Sequence, residues 1–124
     1  MKKQIQTFEA PQAPGLLSQA IDMDGFLFIS GQIHKLPDGG LTGKTIEEKT
    51  KQVMTNLQAI LSAADYTFAD VLKVTVYVTD MSEYAAFNDV YKTYFQEPFP
   101  AREVVCVKEL PIGATLEISL VAKK

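Results

Sequence analysis

The chain has 124 residues, a formal net charge of -3 and 47% hydrophobic residues, which suits one globular domain over residues 1–124. The acidic balance, with no Lys/Arg stripe, gives no basis for binding a phosphate backbone, so no nucleic-acid partner is expected. One cysteine, Cys106, and one histidine, His34, exclude an intrachain disulfide and a Cys/His metal cage.

The N-terminus, MKKQIQTFEAPQ, carries two lysines but no apolar stretch behind them, so it does not read as a secretory signal. No apolar run is long enough to span a membrane. A cytoplasmic protein without a membrane partner is expected.

Residues Lys3–Phe8 read as a first, weak strand. Ala20–Met23 and Phe26–Gln32 read as two strands joined by a tight Asp24-Gly25 turn. In the second of these, Phe26 and Phe28 point one way and Leu27 and Ile29 the other, so both faces are apolar. The stretch Leu36–Gly43 is rich in turn formers.

A helix is predicted from Thr45, with Thr45 and Glu48 at capping-box spacing and Val53, Leu57, Ile60, Leu61 and Ala64 as its apolar stripe. A strand follows, with Leu72, Val74, Val76 and Val78 on one face and Lys73, Thr75, Tyr77 and Thr79 on the other. A second helix is predicted from Asp80, with Glu83 three residues on and a core stripe of Tyr84, Phe87, Tyr91 and Tyr94; Pro98 and Pro100 end it. Ala101–Val107 and Ala114–Val121 read as the last two strands.

The order is β-β-β-α-β-α-β-β, an α+β fold with one mixed sheet. Two helices can cover only one face of it, and the uncovered apolar face implies an oligomer.

Four segments offer chemistry. Arg102 opens a strand and shares a face with Val104 and Cys106; its fork matches a carboxylate, either a structural Asp/Glu or a ligand. Glu117 lies in the last strand, opposite in facing to Leu116, Ile118 and Leu120. It could orient a water, pair with Arg102, or be solvated. Ser30-Gly31 ends a strand, where glycine permits close approach to the backbone or simply begins a turn. Asn88 lies off the aromatic stripe of the second helix. Cys106 reads as a buried, inert cysteine and His34 as a surface residue.

Taken in order, FISGQI, NLQAIL, VLKVTVYVTDM, FNDVYKTYF, FPAR and LPIGATLEI resemble the Rid (YjgF-type) family, from Ala10-Pro11 to Ala122. The resemblance implies a chorismate-mutase-like fold and a homotrimer whose sheets form a central barrel, with ligand clefts between subunits. It implies hydrolysis of reactive enamines and imines, such as 2-aminoacrylate, to 2-oxo acids and ammonia, without metal or cofactor. By position, Arg102 corresponds to the carboxylate-binding arginine and Glu117 to the water-orienting carboxylate. Ser30, Gly31 and Asn88 correspond to residues lining the cleft, and backbone groups near Gly31 and Val104 would position the reacting nitrogen.

Three positions depart from the family pattern. Leu17 stands where active members carry a tyrosine that reaches the ligand. Glu103 stands where a small residue is usual, and Val104 where cysteine is frequent. A non-catalytic binder of 2-oxo acids would also keep Arg102 and tolerate Leu17. Ribonuclease activity, a label attached to some relatives, is disfavoured by the acidic balance and the lone histidine.

Overall fold

A computed structural model describes residues Met1–Lys124. Six strands form one sheet: β1 (Lys3–Ile5), β2 (Ala20–Met23), β3 (Phe26–Ile33), β4 (Val71–Val78), β5 (Ala101–Cys106) and β6 (Leu116–Lys123). Their spatial order is β1-β2-β3-β6-β4-β5, antiparallel except for the β4–β5 pair. Helices α1 (Ile46–Ala63) and α2 (Tyr84–Tyr91) pack on one face, as the element order predicts. No helix is long and apolar enough to cross a membrane.

The Asp24-Gly25 turn forms with both residues at positive φ, the backbone that a tight two-residue hairpin requires. Helix α1 begins with the full Thr45–Glu48 capping box. Its Val53, Leu57, Ile60 and Leu61 are buried against Leu27, Val74, Val76, Ile118 and Leu120 of the sheet. Asn56, buried on the same helix, donates to the carbonyls of Ile33 and Lys35 and so pins the end of β3.

The structure corrects four expectations. Asp80 caps a 3-10 turn, Met81–Glu83, and α2 proper begins at Tyr84 with no side-chain cap from Glu83. In β4 it is Val71, not Leu72, that joins the core, because the pairing with β6 shifts register between Val71 and Lys73 and turns Leu72 outward. Cys106 is exposed, because it ends β5, an edge strand with no neighbour on its outer side. His34 is buried, because both ring nitrogens are used internally: Nδ1 donates to the Thr42 carbonyl at 2.8 Å and Nε2 accepts from the Thr115 N–H at 3.1 Å.

The second sheet face carries no helix. Phe26 and Phe28 stack there with 6.4 Å between ring centroids, and they remain 40% and 49% exposed. A chain that leaves two adjacent phenylalanines open to water presents an apolar patch suited to a partner.

Candidate functional site

A β-bulge in β3 shapes one half of the site. Ile29 pairs with Leu120 but Gln32 pairs with Ile118, so Ser30 and Gly31 together face the single residue Ser119. The extra residue inverts the alternation of the strand: Leu27 and Ile29 point into the core before the bulge, Gln32 and His34 after it. Gly31 therefore lies against β6 on the open face. A Cβ on residue 31 would sit 2.8 Å from the Glu117 carboxyl carbon, so only glycine leaves that carboxylate its position.

Glu117 is flanked in register by Ile33 and Tyr77. Partial burial raises its pKa above the usual carboxylate value, with no hydrogen bond or cation set against the effect.

The Ser30 hydroxyl donates to the Ser18 carbonyl at 2.6 Å, and the Ser30 N–H donates to the Gln19 carbonyl at 2.9 Å. These bonds hold the loop bearing Leu17 beside the bulge, with the Leu17 side chain exposed. Gln19, buried, anchors the same loop: its amide donates to the carbonyls of Thr7, Ala10 and Pro11 and accepts from the Thr7 N–H. Sequence reasoning gave Gln19 no role of its own.

The other half is built around Arg102. Its register with Val74 places it on the helix face of the sheet, at the edge strand. Nη1–H donates to Asn88 Oδ1 at 2.8 Å, and Nη2–H donates to the Tyr84 hydroxyl oxygen at 3.0 Å. The guanidinium lies 4.8 Å from the centroid of the Tyr91 ring. Tyr84, Asn88 and Tyr91 follow the helical spacing i, i+4, i+7, so α2 offers all three to Arg102 along one face. No carboxylate forms an ion pair with Arg102; the two ion pairs of the chain are Lys73–Glu103 and Lys92–Asp89.

Beside Arg102 opens a cleft of about 310 Å³ lined by Asn88, Tyr91, Lys92, Phe95, Phe99 and Pro100. Val104 sits two residues along β5, its side chain packed against the core. Alternate peptide groups of this edge strand have no neighbouring strand to bond.

Burial raises the Tyr91 pKa, partly offset by the nearby guanidinium, so its phenol stays protonated at neutral pH. Tyr84 and Tyr91 read in the sequence as core stripe alone. Tyr91 is both core and site, whereas Tyr84 is 38% exposed.

The predicted site residues thus fall into two groups. Arg102, Asn88 and Val104 gather on the helix side of the sheet edge. Glu117, Gly31, Ser30 and Leu17 gather at the bulge on the open face. Within one chain the two groups do not meet. No cluster of His, Cys, Asp or Glu suited to a metal ion is present.

Residues 7–124 match the family described as Endoribonuclease L-PSP. A RutC family protein of Pyrococcus horikoshii is 47% identical over 125 residues, covering 100% of this chain and 99% of that protein. The mouse protein named 2-iminobutanoate/2-iminopropanoate deaminase is 42% identical over 123 residues, covering 98% and 91%. The crystal structure of Escherichia coli TdcF with bound serine superposes with a TM-score of 0.91 at 35% identity, covering 98% of each chain.

Proposed function

The chain belongs to the Endoribonuclease L-PSP family, the Rid or YjgF group, and from that premise we propose that it hydrolyses 2-imino acids and their enamine tautomers to 2-oxo acids and ammonia. The observation that carries this reading is an arginine unpaired with any carboxylate, on an aromatic and amide cradle, in a chain whose desolvated glutamate also lacks a partner. A carboxylate ligand suits the first and a water the second. The serine bound by TdcF is a small molecule that carries a carboxylate beside a nitrogen-bearing carbon, which fits the same class.

In this reading the enamine first tautomerises to the imine. Arg102 holds the substrate carboxylate and fixes the C=N carbon in place. Glu117, ionised, accepts a proton from water as its oxygen bonds to that carbon. Glu117 passes that proton to the nitrogen, giving the neutral carbinolamine, which then collapses: the C–N bond breaks as the hydroxyl proton is relayed through Glu117 to the nitrogen, ammonia leaves, and the C=O bond forms. Water supplies every new atom, so no oxidant or cofactor enters the balance.

Since Arg102 and Glu117 sit on opposite faces of one chain, the reading needs a cleft between copies. A homotrimer in the cytoplasm that buries Phe26 and Phe28 would provide it; light scattering at micromolar concentration tests the trimer, and a monomer mass would count against it. Leu17, exposed beside Ser30, would add apolar surface for the substrate side chain.

The deciding experiment generates 2-aminoacrylate in place with a serine dehydratase and follows its conversion to pyruvate. Faster conversion with the protein present supports hydrolysis. An unchanged rate, with pyruvate still bound, favours a non-catalytic 2-oxo acid binder.

A further inference from the structure

The aromatic spacing of α2 assigns Tyr84 to the core, yet its hydroxyl reaches the arginine clamp instead. The bond runs one way. An arginine only donates, so the Nη2–H takes a lone pair of the Tyr84 oxygen at 3.0 Å and leaves the phenolic proton free. The adjacent positive charge, 5.7 Å from the ring centroid, polarises the O–H and strengthens it as a donor.

The guanidinium keeps donors for a ligand. Of its five N–H groups, one serves Asn88 and one Tyr84, and three remain. The two N–H directions on Nη2 diverge by about 120°, so a carboxylate oxygen bound through the second lies roughly 5 Å from the Tyr84 oxygen. That gap is the width of one intervening heavy atom hydrogen-bonded to the phenol. In a 2-imino acid, the atom next to a carboxylate oxygen on that side is the nitrogen of the C=N group, and in a 2-oxo acid it is the carbonyl oxygen. Leu17 has no hydroxyl to make such a contact.

Building on the hydrolytic reading, we infer that the Tyr84 hydroxyl donates a hydrogen bond to the C=N nitrogen of a 2-imino acid clamped on Arg102, and to the 2-oxo oxygen of the product. The bond draws electron density from the carbon that water attacks. It needs no proton transfer from the phenol. Tyr84 is then a catalytic residue of the arginine half of the site, in addition to Arg102 itself.

The test is Tyr84→Phe, which keeps the ring over Arg102 and removes only the hydroxyl. Three quantities are measured on the assembled protein: kcat/KM for the imine formed in place, the Kd of pyruvate, and the Kd of propanoate, which has the carboxylate but no 2-oxo group. Pyruvate affinity and kcat/KM should each fall about three- to tenfold, the size of one neutral hydrogen bond, while propanoate affinity is unchanged. Equal weakening of both acids would show that Tyr84 only orients Arg102 and would overturn the inference, as would no change in either. A wild-type protein that binds pyruvate through Tyr84 but does not speed imine hydrolysis would refute the hydrolytic reading and uphold the donor contact.

Discussion

Arg102 and Glu117 stand on opposite faces of one sheet, on strands separated by β4, two strand spacings or roughly 10 Å apart. A substrate the size of 2-iminopropanoate cannot touch both within a single chain. If the active cleft joins the arginine half of one copy to the glutamate half of its neighbour, two inactive variants should complement. Arg102→Ala and Glu117→Gln, each nearly inactive alone, are unfolded together and refolded as a mixture. Random assembly around a ring restores about a quarter of the clefts, because one neighbour supplies an intact arginine and the other an intact glutamate. Recovery of activity near that fraction supports the shared cleft. None, with mixed oligomers demonstrated, would count against it.

Gly31→Ala isolates the bulge. The methyl group meets the far end of the Glu117 side chain, which can rotate away at little cost to the fold. In the proposed mechanism, the displaced carboxylate would no longer hold water where the substrate needs it. kcat/KM should fall about ten- to a hundredfold with the Tm nearly unchanged. A large Tm loss with normal activity per folded molecule would mean that Gly31 serves the turn rather than Glu117.

Glu117 also sets a pH dependence. Its folded pKa is raised by burial, and in the proposed mechanism the carboxylate acts only when ionised. Activity is then full above the raised pKa and lost as pH falls through it. The acidic limb of kcat/KM should lie above the usual glutamate range and vanish in Glu117→Gln, leaving a low, flat profile.

In the proposed cleft, Leu17 should set the preference for the substrate side chain. Burying one methylene contributes about 0.8 kcal/mol, close to fourfold in kcat/KM per added carbon. Imines of alanine, norvaline and leucine should therefore be used in rising order, and Leu17→Tyr should flatten the series. An unchanged ranking in that variant would place Leu17 away from the ligand.

Much of the fold was legible because it obeys simple periods. The Asp24-Gly25 hairpin, the Thr45 capping box and the alternation in β6 all formed as the residues indicate. What periodicity misses is an interruption of period. The bulge at Ser30-Gly31 and the register shift at Leu72 each invert the facing of a strand; Gly31 is a compositional sign of the first, and nothing in the composition marks the second. They explain why Leu72 faces outward and why Gly31 meets Glu117. Tyr84 was missed for another reason: a tyrosine at core spacing on a short helix near the sheet edge reaches past the core to its rim. Arg102, Glu117, Ser30, Gly31 and Asn88 stood out by residue type and position, the family resemblance supplied their roles and added Val104 and Leu17, and their division between two faces came only with the strand order.

His34 gives a stability prediction independent of activity. It bridges three segments: its own strand end, Thr42 of the turn-rich loop, and Thr115 at the start of β6. Nε2 must stay unprotonated to accept the Thr115 N–H, since a proton there would oppose two donors. Burial lowers the pKa below 6.5, and the Lys49 ammonium pushes in the same direction. Lys49 itself is held by the Thr115 hydroxyl at 2.9 Å. The folded chain thus binds fewer protons than the unfolded chain between the lowered pKa and 6.5. Stability is full above pH 6.5 and declines as pH falls through that window. The decline is at most about 1.4 kcal/mol per pH unit for a single site, and it levels off below the lowered pKa. Urea midpoints of the wild type and His34→Gln, taken from pH 8 to pH 5, measure this. The wild type should be the more stable protein at pH 8, and its advantage should shrink steadily below pH 6.5. A constant offset between the two across the whole range would show that His34 does not titrate differently in the folded and unfolded chains, and would refute the prediction.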